Sequence, residues 1–142
     1  MKIRDLVAGV PEGLYRARLA KTNQTTSQAG RPMYILDWEI VDPPAYAGQT
    51  VRDWLVLTGE GLRRWASLYL AMGGSPDDEV STVAELAERC LAKARQALVW
   101  VEVETRPGND GVPRPRVRAY HAPEQGQVLA AQYARRESMV PF

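Results

Sequence analysis

Residues 97–121 read ALVWVEVETRPGNDGVPRPRVRAYH, in which two strand-like runs, Ala97–Thr105 and Pro113–His121, are joined through Gly108, Asn109, Asp110 and Gly111. A cluster of turn formers between two such runs predicts a β-hairpin. Upstream, Thr82 and Glu85 make a capping box that opens a helix, whose apolar stripe is Val83, Leu86, Ala87, Cys90, Leu91 and Ala94. Before it, Leu62, Trp65, Ala66, Tyr69 and Met72 follow helical spacing until Gly73 and Gly74 end the run. The hairpin is therefore separated by helix from whatever precedes residue 62.

What precedes it is strand. In Gly13–Thr22, Tyr15, Ala17 and Leu19 alternate with Arg16, Arg18 and Ala20, the period of a half-buried strand. In Met33–Asp42, Tyr34, Leu36, Trp38 and Ile40 take one face while Asp37 and Glu39 take the other. Pro43, Pro44 and Gly48 make a stop and a turn, and Gln49–Leu57 is a third, less cleanly alternating strand. Between the first two, Asn23–Pro32 (NQTTSQAGRP) has no periodic apolar residue and is expected to be a mobile surface loop. Five strands with a helical insertion between the third and fourth is the order of the OB-fold, a small Greek-key barrel that commonly binds single strands or oligosaccharides. The expected class is thus mainly β: a five-stranded OB-fold barrel over residues 1–121, then a C-terminal tail, a short helix or loose segment, over residues 122–142.

Composition narrows the function. At 142 residues, 45% hydrophobic and 25% charged, the chain holds one domain of average make-up and needs no disulfide or metal staple. Cys90 and His121 are its only cysteine and histidine, which removes disulfides and ordinary His/Cys metal sets. No apolar run approaches the roughly 18 residues of a membrane span, and residues 1–10 lack a signal peptide's apolar stretch, so a cytoplasmic protein without membrane contacts is expected. Cys90 lies on a helix's apolar stripe, where an inert core thiol is expected.

Enzyme signatures are missing: there is no nucleophile elbow, Walker loop, dinucleotide fingerprint or HExxH pair. Asp37, Glu39 and Asp53 on neighbouring strands are the only carboxylates placed for a metal-dependent nuclease, and cross-strand pairing with Arg16 and Arg18 accounts for the first two more simply. Neither catalysis nor a cofactor is expected.

Lys plus Arg is 18 and Asp plus Glu 17, a net charge of +1, which argues against a uniformly basic coat. The charge is uneven, however. Asp77–Glu104 holds seven acids against three bases, and Thr105–His121 four arginines against Asp110. Arg114, Arg116, Arg118 and Tyr120 recur at period 2, which puts three guanidiniums and a ring on one face, the combination that tracks a phosphate backbone and stacks on a base. A competing arrangement pairs Arg116 with Glu104, Arg118 with Glu102 and Tyr120 with Trp100 across the hairpin. Arg52 and Trp54 share a face of the third strand, with core packing of Trp54 the alternative. Lys21 and Arg31 bracket the polar loop with positive charge.

The runs PEGLYRARL, AGRPMYILDWEIVD and YAGQTVRDWLVL, followed by a helical segment and a closing hairpin, resemble the phage-encoded single-stranded-DNA-binding proteins with an OB-fold, over roughly Val10–Tyr120. The resemblance implies sequence-independent binding of single-stranded DNA during phage replication or recombination, in the cytoplasm of an infected host, with no metal. The chain ends Val140, Pro141, Phe142, which is similar to the apolar tips through which such proteins dock replication or recombination partners, although Arg135 and Arg136 stand where an acidic tail is usual. The alternative from the residues is a structural or adaptor protein that docks a partner through this tip or the helical insertion. Whether it acts as a monomer or a homo-oligomer stays open.

Overall fold

A computed structural model describes residues 10–108 and 110–138. The chain runs β1 (Gly13–Thr26), β2 (Pro32–Asp42), β3 (Thr50–Val56), α1 (Leu62–Ala71), α2 (Val83–Ala94), β4 (Val99–Pro107), β5 (Pro113–His121) and α3 (Pro123–Ser138). It is mainly β, and the five strands pair in the order β1-β2-β3-β5-β4 to make a closed barrel. Neighbouring strands are antiparallel except β3 and β5, which run parallel and share a single ladder pair, Arg52 with Arg116.

The alternation in the sequence is burial. Tyr15 and Ala17 on β1, Leu36, Trp38 and Ile40 on β2, Val51 and Leu55 on β3, and Val99, Val101 and Val103 on β4 all point inward and are buried. Removing these side chains from water is the main favourable contribution to the barrel. One inward position is charged: Asp53, between Val51 and Leu55, is 0% exposed. A buried carboxylate is tolerated only when paired and hydrogen-bonded. Arg64 of α1 reaches it with both terminal nitrogens, at 2.6 and 2.8 Å, the Tyr120 hydroxyl donates at 2.6 Å, and the Trp54 amide at 2.8 Å. Tyr120 in turn accepts from Trp38 Nε1 at 3.0 Å, and Arg64 also donates to the Val117 carbonyl at 3.2 Å. Burial pushes the Asp53 carboxyl up, while the Arg64 guanidinium and the Tyr120 hydroxyl pull it down. All four contacts are donors, so the site is built for the carboxylate. Burial and the Asp53 charge raise the Tyr120 hydroxyl well above its usual range, which keeps it a donor.

The helices follow their caps. Thr82 Oγ1 accepts from the Glu85 amide at 3.1 Å, and the Glu85 carboxylate answers at the Ser81 amide, one residue earlier than a standard box. Leu86, Ala87, Cys90 and Ala94 are the buried face of α2. α1 buries Trp65, Leu68, Tyr69 and Ala71, with the Trp65 indole donating to the Val56 carbonyl at 3.0 Å. Leu62, which shares the expected stripe, is instead 42% exposed at the start of the helix. The segment after residue 121 is largely a 16-residue helix, α3, lying across Trp100. Its Gly126 makes this possible, because a Cβ there would fall 2.2 Å from the Trp100 ring. Tyr133 anchors the helix by donating to Glu102 at 3.1 Å.

Two expectations fail. Asn23–Pro32 is not a loop: β1 continues to Thr26, paired with β2 as far as Pro32, and the connection is a tight turn from Ser27 to Arg31 with Gly30 at φ +79°. Thr22–Thr26 is exposed at every residue, so no buried face imprints a period on the sequence. The second is the hairpin register. Arg116 does pair with Glu104, but a bulge between Glu102 and Val103 leaves Arg118 without a ladder partner and sets Ala119 opposite Glu102 and Tyr120 opposite Val101. The Arg118 side chain still lies 3.8 Å from Glu102, so the expected charge pair forms while the Tyr120–Trp100 pair does not.

Replacing Arg64 by Met leaves Asp53 as an uncompensated buried charge and should cost about 3 kcal/mol, or roughly 10 °C in Tm, in a thermal melt followed by circular dichroism. A variant that melts within a degree or two of the parent would show that the ion pair does not hold the barrel. Burial also pushes the Cys90 thiol up to about 12. The native protein should therefore be inert to a disulfide reagent at pH 8 and react fully once denatured, a result that rapid native labelling would contradict.

Candidate nucleic-acid interface

The outward positions of β3 are Thr50, Arg52 and Trp54, the complement of its buried Val51, Asp53 and Leu55. Cross-strand partners share a face, so the ladder carries this surface across the barrel. One row runs Lys21, Asp37, Arg52, Arg116 and Glu104, through β1, β2, β3, β5 and β4. The next sets Asn23, Ile35 and Trp54 side by side. In the first row Arg52 and Arg116 are direct neighbours, a like-charge placement that costs stability unless a counter-charge lies close by.

Between this face and the β4–β5 turn lies an open groove of about 750 Å³, lined by Asp37, Thr50, Arg52, Trp54, Arg106, Pro107, Gly108, Arg114, Pro115 and Arg116. Trp54 is 39% exposed in it, with the Arg116 guanidinium 6.0 Å from the ring centre. Every arginine has an acid nearby. Arg52 donates to Asp37 at 2.8 and 3.3 Å, Arg114 to Asp110 at 3.1 and 2.6 Å, and Arg106 lies 2.8 Å from Glu104. These contacts hold the Arg52 guanidinium more firmly protonated and keep the Asp110 carboxyl below its usual range. Arg116 is the least satisfied: its Nε is 4.0 Å from Glu104, shielded from solvent, and has no acceptor. Exposed ion pairs of this kind are worth at most about 1 kcal/mol, so an incoming phosphate can exchange for a carboxylate at little cost.

Four of the expected residues, Arg52, Trp54, Arg114 and Arg116, thus converge on one groove, and four do not. Tyr120 is corrected outright: the bulge after Val117 turns it inward, where it is 4% exposed and held by Trp38 and Asp53. Arg118 stays outward, 3.8 Å from Glu102, but does not line the groove. Lys21 sits in the same ladder row as Asp37, one strand beyond the groove lining. Arg31, in the β1–β2 turn, is ion-paired with Glu60. Val140, Pro141 and Phe142 lie outside the described residues. Arg106 was not expected; its place two residues before Gly108, at the neck of the turn, was the available signal. Of the candidate metal carboxylates, Asp53 faces inward while Asp37 and Glu39 face outward to Arg52 and Arg18, so they form no common site.

A second cleft, of about 530 Å³, lies between the start of β1, the short helical turn Pro44–Tyr46 and α3. Its charged lining residues are the acids Glu12 and Asp42, which repel phosphate, so the groove beside Trp54 is the better anion site. Among the described residues no helix is long and apolar enough to cross a membrane. Residues 2–131 match the model of a family described as a protein of unknown function, DUF669, and the chain belongs to that family. No curated protein matches it.

Trp38 and Trp65 are 0% exposed and Trp100 is half-buried under α3, so an aqueous quencher should reach Trp54, at 39% exposed, most readily. Acrylamide or iodide titration of the Trp54→Phe variant should lose most of the quenchable fluorescence, and an unchanged quenching curve would place Trp54 out of reach of any ligand.

Proposed function

We propose that the chain, as a member of that family, is a non-enzymatic single-stranded-DNA-binding protein of OB-fold type, serving phage DNA replication or recombination. The observation that carries the reading is the partly exposed Trp54 set among Arg52, Arg114 and Arg116 on the outer face of β3. Two features of the fold support it. The strand order, with helices between the third and fourth strands, is that of the OB-fold, and the groove lies where that fold takes oligonucleotides, on the strand 2–strand 3 face beside the loop joining strands 4 and 5.

The chemistry follows from the lining. An unpaired base stacks on the Trp54 indole, an interaction indifferent to base identity because every base has a π-face. Duplex bases are already stacked and paired, so the ring selects single strands. The guanidiniums of Arg116, Arg52 and Arg114 take the flanking phosphates, the latter two by exchanging Asp37 and Asp110 for the ligand. With few phosphates engaged and acids close by, affinity should fall only moderately with salt.

Anisotropy of labelled oligo-dT should report binding at micromolar protein or below in low salt, with a log–log salt slope of about −2 if three phosphates are held. Trp54→Ala should weaken it by about 1–3 kcal/mol and abolish ligand-induced fluorescence quenching. No binding at micromolar protein in low salt would overturn the reading.

A further inference from the structure

We infer that Asp37 is an internal stand-in for the phosphodiester, a fixed anion that the nucleic-acid backbone must displace, and that it sets how tightly the groove holds a strand. The inference rests on the single-strand-binding reading above. Asp37 is an acid that itself lines the groove, with its side chain only 15% exposed, whereas Asp110 sits in the β4–β5 turn at 50%. It grips one edge of Arg52, with Oδ1 2.8 Å from Nε and Oδ2 3.3 Å from Nη2, the side-on geometry that a phosphate would use. Its ladder neighbours on both sides, Lys21 and Arg52, are cations, and the next residue in the row is Arg116.

That row explains why an acid is there. Arg52 and Arg116 face each other across the β3–β5 pairing, and without a counter-charge they repel. In the free protein Asp37 offsets Arg52, while Arg116 keeps a shielded Nε without an acceptor. A phosphate lodged between the two guanidiniums serves both, but it does so beside a carboxylate that it must push off Arg52. The groove therefore binds by exchange, and Asp37 opposes the ligand even as it steadies the empty site.

The distinguishing sign is that stability and affinity move in opposite directions. Asp37→Asn should melt slightly lower than the parent but bind oligo-dT roughly fivefold more tightly at low salt, the upper end of what freeing an exposed ion pair yields. Its salt slope should stay close to the parent's, because Arg52 holds a phosphate in both and the number of phosphates neutralised is unchanged. The gain should vanish when Arg52 is replaced by Gln in the same chain, because no guanidinium is then released. Asp37→Ser, run in parallel, tests the same point with a different side chain. If the parent binds oligo-dT and both Asp37 variants bind no more tightly, or gain equally in the Arg52→Gln background, the inference fails while the function stands. If the parent does not bind at all, both fall together.

Discussion

The barrel depends on how its β3–β5 seam is closed. Elsewhere the strands are joined by antiparallel ladders of five to ten residue pairs, but here backbone pairing is reduced to Arg52 and Arg116. The work of closure passes to side chains. Asp53 of β3 accepts from Tyr120 of β5 and from Arg64 of α1, and Arg64 reaches on to the Val117 carbonyl of β5. A single carboxylate therefore ties two strands and a helix together from the inside. Trp38 extends the connection to β2 through the Tyr120 hydroxyl. Such networks favour one geometry strongly, because leaving any member unpaired in a dry interior is costly.

The candidate site lies on the outside of the same seam. Asp53 faces the core and its sequence neighbours Arg52 and Trp54 face the groove, so the network that closes the barrel also fixes the strand presenting the ring and a guanidinium. The Trp54 amide donates to Asp53 directly, which holds the backbone beneath the indole. Sparse pairing at the seam leaves room for a concave surface between the two strands. The interior network makes that sparseness tolerable.

How much of this was readable in the sequence follows from what buries each residue. Strands with one dry face were legible, since Leu36, Trp38 and Ile40 alternate because alternate positions leave water. The outer half of β1 was not, because Thr22–Thr26 is wet on both sides and its strand character resides in backbone hydrogen bonds that leave no mark on side-chain choice. Arg52 and Trp54 were placed on one face correctly from their spacing. Tyr120 was lost to a one-residue bulge, to which a period-2 argument is blind, and everything beyond that bulge changes face. Asp53 was partly legible: it alternates with Val51 and Leu55, and an acid on an apolar face announces a buried partner. Its partner Arg64 lies 11 residues on in another element, and no local pattern points to it.

The seam also bears on the order in which the molecule assembles. β1, β2 and β3 meet through successive short connections, and β4 meets β5 through one turn, so both units close small loops and can form early. The β3–β5 contact joins Arg52 to Arg116, far apart in the chain, and the bonds from Arg64 and Tyr120 to Asp53 help offset the loop entropy of that closure. The groove belongs to neither unit, since its tryptophan comes from the first and most of its arginines from the second. It therefore exists only where the two units are docked, and neither the strands β1–β3 nor the β4–β5 hairpin alone has anywhere to put a nucleotide.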